Sequence, residues 1–470
     1  MGEVTSQQPQ VRQERDLLGV RDIPAEVYWG IHTLRACENF PASSEPVGAH
    51  PDFVYALAAV KQAAAQANHE LGVLDSSRRD AIVAACTEIR GGALHDQFIV
   101  PMVQGGAGTS TNMNANEVVT NRALELLERP RADYAVLSPT DHTNLSQSTN
   151  DAYPTALRVA VSAGCAQLRA ALHQLGAACD AKAAEFATVL KVGRTQLQDA
   201  VPMTLGREFA AFGALVRADL ELLVRAEHAL YEINLGGTAI GTGLNAPSGY
   251  APVVRAHLAS IVDLPLRTAP DLIAATQDCG AFVQTSGALR QIAGRLSKIC
   301  DDLRLLSSGP RAGFGEITLP AVQAGSSIMP GKVNPVVPEF VNQIAFQVAG
   351  ADVTVAMAAQ SGELQLNAFE PVIGHCLLTG LRQLRRAVDE LARCVAGIGC
   401  DRDRLAAAVT DSIGIATALN THLGYATATD VARAALRSGR GVAELVRERK
   451  LLSPAEIERA LDPAILAQPR

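Results

Sequence analysis

Residues 282–306, FVQTSGALRQIAGRLSKICDDLRLL, set Phe282, Leu289, Ile292, Leu296, Ile299, Leu303 and Leu306 on one narrow seam. Steps of seven, three and four follow one face of a helix. A seam this long predicts a helix well beyond the usual length of about 11 to 12 residues. Upstream, residues 205–230 repeat the pattern through Leu205, Phe209, Phe212, Val216, Leu220, Leu223 and Leu230, and residues 157–175 do so with Ala on the flanks. Narrow seams on long helices predict a bundle with coiled-coil-like crossing that leaves room for packing against a partner chain.

Composition agrees with closely packed helices. Of 470 residues, 48% are hydrophobic but only 4% aromatic, so Ala, Leu and Val supply most of the apolar surface. The length calls for two or three domains or one elongated one. A net charge of −7 without a basic block argues against a nucleic-acid partner. Nine Cys form no CxxC pair, and the nearest two, Cys394 and Cys400, are six apart. That spacing argues against zinc fingers and a disulfide framework and for reduced thiols in a cytoplasmic chain. No HExxH pair occurs, and the sequence offers no metal-ligand set.

The N-terminus has no apolar core of a secretory signal. Gly2 and Ser6 fit the loose myristoylation pattern, which a flexible tail explains equally well. Residues 235–254 are uncharged and of membrane length, yet five Gly and two Pro exclude a spanning helix, so no membrane partner is expected. Near the other end Ser453, Pro454 and Glu456 read as a capping box with Pro at the first helical position. The coarse organisation is a mixed N-terminal part, a long helical middle and a small helical C-terminal part.

Polar segments rich in Gly, Ser, Thr and Asn separate the helices, at residues 104–116, 145–151, 193–199, 234–245 and 325–335. The last reads GSSIMPGKVNP. It is not a phosphate loop, because five residues separate Gly325 from Gly331 and Val333 follows Lys332 where Ser or Thr would hold magnesium. Nor is it a nucleophile elbow or an SxxK site. It is a Gly/Pro-bounded loop with two hydroxyls, one Lys and one amide. GGAGTSTNMN at 105–114, SQSTND at 146–151 and GRTQLQD at 193–199 are similar clusters. Each alone is an ordinary helix cap or Asx turn; together they suit a small anion, cradled by neutral donors and backbone N–H groups with one Lys as a point charge.

In this order, these segments resemble the fumarase/aspartase superfamily, whose signature loop is GSSIMPGKVNP. The likeness extends from Asp16 over nearly the whole chain. GGAGTSTNMN, SQSTND and the stretch IPAEVYWGIHTLRACENF at 23–40 resemble the ammonia-lyase branch more than the hydratase branch. The resemblance implies a mainly α, three-domain fold: an N-terminal domain at 1–147, a central long-helix bundle with the mobile loop at 148–401, and a small helical domain at 402–470. It further implies a homotetramer with a twenty-helix core and active sites shared among three chains.

The activity implied is reversible elimination of ammonia from L-aspartate to give fumarate and ammonium. Removing a proton beside the β-carboxylate forms an aci-carboxylate, whose extra charge needs preorganised donors. By the resemblance Thr109, Ser148, Thr149 and Ser327 hold the β-carboxylate. Thr195, Lys332 and Asn334 hold the α-carboxylate, Asn150 contacts the amino group with Gln196 nearby, and Ser326 is the general base, activated as its loop closes on backbone N–H groups and excludes water. Gln196 stands where many members carry a His paired with the Glu matching Glu339, which leaves Glu339 without that role and the leaving ammonia without an assigned acid. No cofactor is implied as required; stimulation by Mg2+ is the one metal effect expected.

The nearest alternative is a class II fumarate hydratase, which would use the same fold and base with water in place of ammonia. Absence of an Ala-Ser-Gly triplet excludes a self-formed electrophile. A pyridoxal-phosphate Schiff base at Lys332 would give a coloured protein. A binding protein that has lost catalysis would be expected to have lost Ser326, Ser327, Lys332 and Asn334, all of which stand.

Overall fold

The computed structural model describes residues 10–41, 45–460 and 462; Gly2 and Ser6 lie outside these. Strands β1 (Val11–Asp16) and β2 (Gly19–Pro24) precede helices α1 (Ile31–Asn39), α2 (Pro51–Glu70), α3 (Ser76–Arg90) and α4 (Thr109–Leu126). Helix α5 (Thr149–Glu185) leads to β3 (Leu190–Thr195), β4 (Gln198–Thr204) and α6 (Leu205–Leu230). There follow β5 (Glu232–Ile233), α7 (Tyr250–Val262), β6 (Arg267–Thr268), α8 (Leu272–Gln277), α9 (Gly280–Leu306) and β7 (Ile317–Thr318). Two more long helices, α10 (Val336–Gln360) and α11 (Glu370–Ala396), precede β8 (Gly399–Cys400). The chain closes with α12 (Arg402–Asp411), α13 (Ile415–Leu423), α14 (Tyr425–Ser438), α15 (Val442–Glu448) and α16 (Pro454–Ala460).

The architecture is mainly helical. The strands form two-stranded pairs only, antiparallel for β1–β2, β3–β4 and β7–β8 and parallel for β5–β6. The seams of α6 and α9 are buried along their length. One position departs: Leu220 is half-buried, and Asp219 occupies the interior beside it, paired with Arg295. An α-helix drifts against a strict heptad, so the buried face at this turn falls on residue 219. Burial pushes the Asp219 carboxyl up to about 6 against the pull of Arg295. The nine Cys are free thiols. None of the described helices is long and apolar enough to cross a membrane.

The chain divides into two compact units. The first contains residues up to Leu168, Leu222–Gln291 and Gln347–Gln383; the second contains Arg169–Glu221, Ile292–Phe346 and the chain from Leu384 onward. In the first unit the Ala-rich helix α2 buries Ala56, Ala58, Ala59, Ala63, Ala64 and Ala67, and α3 and α7 pack on it. Small side chains permit that approach. Helices α5 and α11 pack through glycines: a Cβ on Gly164 would lie 2.9 Å from Leu381, and one on Gly374 3.0 Å from Leu157. Gly30 offers α1 no side-chain cap, so two buried carboxylates take that part. Glu117 on α4 accepts from the N–H groups of Gly30, His32 and Thr33, and Glu14 from that of Ile31.

In the second unit α12–α16 enclose Val409, Ile415, Leu419, Val431, Val442, Leu445, Val446 and Ile457, and Val192 of β3 joins that core. The capping box forms as read: Ser453 N–H donates to Glu456 at 2.8 Å, and Glu456 N–H to the Ser453 hydroxyl at 3.3 Å.

Candidate active site

Four of the expected ligands stand at two adjoining helix N-termini in the first unit. Thr109 is the first residue of α4 and Thr149 the first of α5. Residues 106–108 turn through three left-handed conformations (φ 89°, 54° and 88°) to deliver Thr109. Gly108 is required twice over, by its φ and because a Cβ there would lie 2.4 Å from the Tyr153 ring. Ser148 caps α5: its hydroxyl accepts from Asn150 N–H at 3.2 Å, and Asp151 accepts from Ser148 N–H at 2.9 Å. Asn150 Nδ2 donates to the Ala239 carbonyl at 2.8 Å. Backbone N–H groups and two dipoles therefore converge where an anion is stabilised.

Behind these termini lies a buried polar cluster that the sequence reading missed. Lys61, wholly buried on α2, donates to Asn112 Oδ1 at 2.6 Å, Gln147 Oε1 at 2.9 Å and Asn144 Oδ1 at 3.1 Å. Asn112 Nδ2 in turn donates to Thr149 Oγ1 at 3.2 Å. Burial pushes Lys61 down to about 7, although the Asp151 charge and the amide oxygens favour its ammonium form. Asp151 is also wholly buried and is raised to about 6 by burial, while N–H groups of Thr238, Ser148 and Gly236 pull it down. A lone Lys within the Ala-rich run at 56–67 was the available signal.

Two further groups lie in the second unit. Thr195 ends β3, and Gln196 with Leu197 forms the two-residue tip of the β3–β4 hairpin. Both tip residues are left-handed, at φ 53° and 61°. That is a type I′ turn, which favours Asn-Gly, made here without glycine. A recess of about 310 Å³ beside it is lined by Lys191, Arg194, Gln196, Lys298, Asp302 and Phe314, among others. Lys191 and Arg194 are braced by Glu316, at 3.2 and 2.6 Å.

Residues 325–335 form a loop closed on itself. Gly325 N–H donates to the Lys332 carbonyl at 2.8 Å, and Asn334 Nδ2 to the Gly325 carbonyl at 2.7 Å. The Ser326 hydroxyl accepts from the N–H groups of Ile328 at 3.1 Å and Met329 at 3.0 Å. Ser327 and Lys332 are exposed, as are the apolar Ile328, Met329 and Val333. Asn334 thus spends one of its two amide N–H donors on the loop itself in this conformation. Glu339 is half-buried in the first turn of α10.

A family model described as Lyase matches residues 19–350, and one described as Fumarase C C-terminus matches 415–468. The aspartate ammonia-lyase of Pseudomonas aeruginosa is 54% identical over 98% of this chain and 97% of its own length. A solved structure of fumarate lyase:delta crystallin from Brucella melitensis bound to cobalt superposes with a TM-score of 0.95, at 54% identity over 98% of this chain and 100% of its own. A class II fumarase from Schistosoma mansoni gives a TM-score of 0.92 but 33% identity, over 98% of this chain and 100% of its own. The fold and these matches define the class: the chain belongs to the fumarase/aspartase family of lyases. Within that family its similarity runs higher to aspartate ammonia-lyase than to the fumarase.

Proposed function

We infer that the protein is an aspartate ammonia-lyase, a carbon–nitrogen lyase that reversibly converts L-aspartate to fumarate and ammonium. Near-full-length identity of about half to several aspartate ammonia-lyases supports this over fumarate hydration. The geometric observation that supports it best is the Ser326 hydroxyl receiving two backbone N–H groups. A serine is a useful base only if its oxyanion is stabilised, and hydrogen bonds to the charged form do that.

In this reading the Ser326 oxyanion takes the proton from the carbon beside the β-carboxylate and is left as the hydroxyl. Thr109, Ser148, Thr149 and Ser327 hold that carboxylate as its charge grows, aided by the N-termini of α4 and α5. Thr195, Lys332 and Asn334 hold the α-carboxylate, Asn334 through the second N–H of the amide that also holds Gly325. Asn150, fixed through Nδ2, presents its carbonyl oxygen to the amino group, with Gln196 nearby. The amino group enters already protonated, so the C–N bond electrons pass to nitrogen and neutral NH3 leaves without an acid from Glu339. It takes up a proton from water afterwards to become ammonium.

The assembly proposed is a homotetramer with active sites shared among three chains. Supporting it, α10 carries Phe346, Val353 and Met357 on steps of seven and four, each more than half exposed in the single chain. The proposed domains, 1–147, 148–401 and 402–470, begin their second part at the Ser148 cap and their third at Arg402, the first residue of α12. Mg2+ prefers oxygen ligands. Among the described residues the one cluster of three His, Cys, Asp or Glu side chains close enough to share an ion is Glu45, His50 and His375, two nitrogens to one carboxylate, which does not fit Mg2+. No step of the proposed reaction passes through a metal.

The test is the absorbance of fumarate with L-aspartate or L-malate as substrate. Product from aspartate alone is expected; product from malate alone would overturn the reading in favour of the hydratase.

A further inference from the structure

The ion-ligating group just named does not belong to the proposed catalytic machinery. Glu45 and His50 flank a short turn before α2, and His375 lies near the start of α11, all within the first compact unit. In sequence they are five and then 325 residues apart, so no spacing motif announces them. One ligand atom from each lies within 4.8 Å of the others.

Three observations point to a ligand. The His50 side chain is only 3% exposed, and its Nε2 has no hydrogen-bond partner. That nitrogen sits 3.0 Å from Glu45 Oε1, an ion pair only when the ring is protonated. His375 Nδ1 is likewise buried and without a partner. Orphaned buried polar atoms are costly, and two on neighbouring rings at one carboxylate need an explanation. The rings themselves meet edge to face, with centroids 6.5 Å apart.

We propose that Glu45, His50 and His375 form a binding site for a divalent ion of intermediate hardness, Zn2+ or Co2+, open at a fourth position. Two imidazole nitrogens and one carboxylate are the donors such ions take, and three protein ligands leave room for water. A tetrahedral ion with bonds near 2.1 Å sets its ligands about 3.4 Å apart, so the third must close by about 1.5 Å at most.

The backbone around the site is already fixed. Met102 N–H donates to the Glu45 carbonyl at 3.1 Å, Val47 N–H to Val100 at 2.9 Å, and the His50 carbonyl takes Phe53 N–H at 2.9 Å as α2 begins. Arg382 lies against the group, with Nη2 2.7 Å from Glu45 Oε1 and Nη1 2.9 Å from the Ala49 carbonyl. Thr379 also donates to Oε1, at 3.4 Å. A carboxylate has lone pairs for these donors and an ion together. The Arg382 charge opposes the ion, so it is held exchangeably. Its effect is to pin the segment before α2 to α11.

The experiment uses the full-length protein freed of metal. Zn2+ alone is titrated by calorimetry and Co2+ alone by visible absorption. One ion per chain is expected, with a cobalt spectrum of nitrogen and oxygen ligation and no thiolate-to-metal charge transfer. His50→Gln and His375→Gln, neutral and of similar size, should each weaken Zn2+ binding at least about 100-fold. In metal-free buffer both should keep the parent lyase rate and urea midpoint. Zn2+ should raise the melting temperature of the parent and of neither variant. A thiolate band, absence of binding by the parent, or unchanged affinity in the variants would overturn the proposal. The parent cobalt spectrum decides even if a variant fails to fold, and neither the spectrum nor the Zn2+ titration depends on which substrate the lyase takes.

Discussion

The paired N-termini of α4 and α5 and the 325–335 loop carry the same chemistry, hydroxyls and amides with a Lys, in opposite physical settings. At the helix ends Ser148 and Thr149 are braced from behind. Lys61 holds Asn112, Asn112 holds Thr149, and Asp151 answers Ser148. In the loop the partners are the loop's own backbone, and Ile328 is 86% exposed at its crest. The helix ends are therefore preorganised, whereas the loop must be ordered by what it closes upon. Donors that stabilise charge without reorganising belong on rigid elements, and a base that admits substrate before excluding water belongs on a mobile one.

The largest effect should come from the loop. Ser326→Ala should lower kcat by about 10³-fold or more while aspartate still binds, as removal of a general base does. Rates with aspartate and binding of a non-reacting analogue check this together. Near-normal turnover would remove Ser326 as the base.

Next comes the rear of the rigid site. Lys61→Met should leave Asn112 unsupported and let Thr149 turn, costing about 100-fold in kcat/KM, the scale of a small misplacement at a reacting centre. It should also change how stability depends on pH. Lys61 titrates near 7 in the folded chain against 10.5 as an ordinary lysine, so between these values the unfolded chain holds a proton that the folded chain has released. Stability from this group therefore rises with pH across that window, by a few kcal/mol at most. Urea midpoints at neutral and alkaline pH should diverge less in the variant than in the parent. Equal slopes would mean that Lys61 stays charged throughout, stabilised by its three amide oxygens.

Smaller again is Ser148→Ala, which removes one half of the α5 capping box and should cost about 1 kcal/mol of stability. A loss in kcat/KM far larger than that energy allows would support substrate contact at Ser148 beyond its role as a cap.

The long helices were legible because burial repeats along them: each seam residue of α9 is interior, and the same pattern failed in α6 only at Leu220, where a charge pair took the buried place. The polar segments were legible as a set, since Gly-rich turns before helices advertise themselves. Lys61 and Asp151 were not, because a buried charge leaves no periodic trace and its partners, Asn112 and Asn144 among them, come from distant segments. The Glu45, His50 and His375 group was invisible for the same reason. Whether Ser326 meets the helix-end ligands is a matter of loop closure and assembly, on which local patterns are silent.

The hairpin tip tests the comparison at its weakest point. Gln196 and Leu197 hold left-handed backbone without glycine, a conformation that costs a non-glycine residue on the order of 1 kcal/mol or more. Leu197 is 65% exposed, so the single chain returns little packing for that cost. If the tip behaves like the loop, Leu197→Gly should raise the urea midpoint by the equivalent of about 0.5–1 kcal/mol and lower the rate modestly as Gln196 loosens. If stability falls instead, Leu197 must be buried in the assembled protein. The tip would then belong with the braced helix ends, its strain held in place by a neighbouring chain.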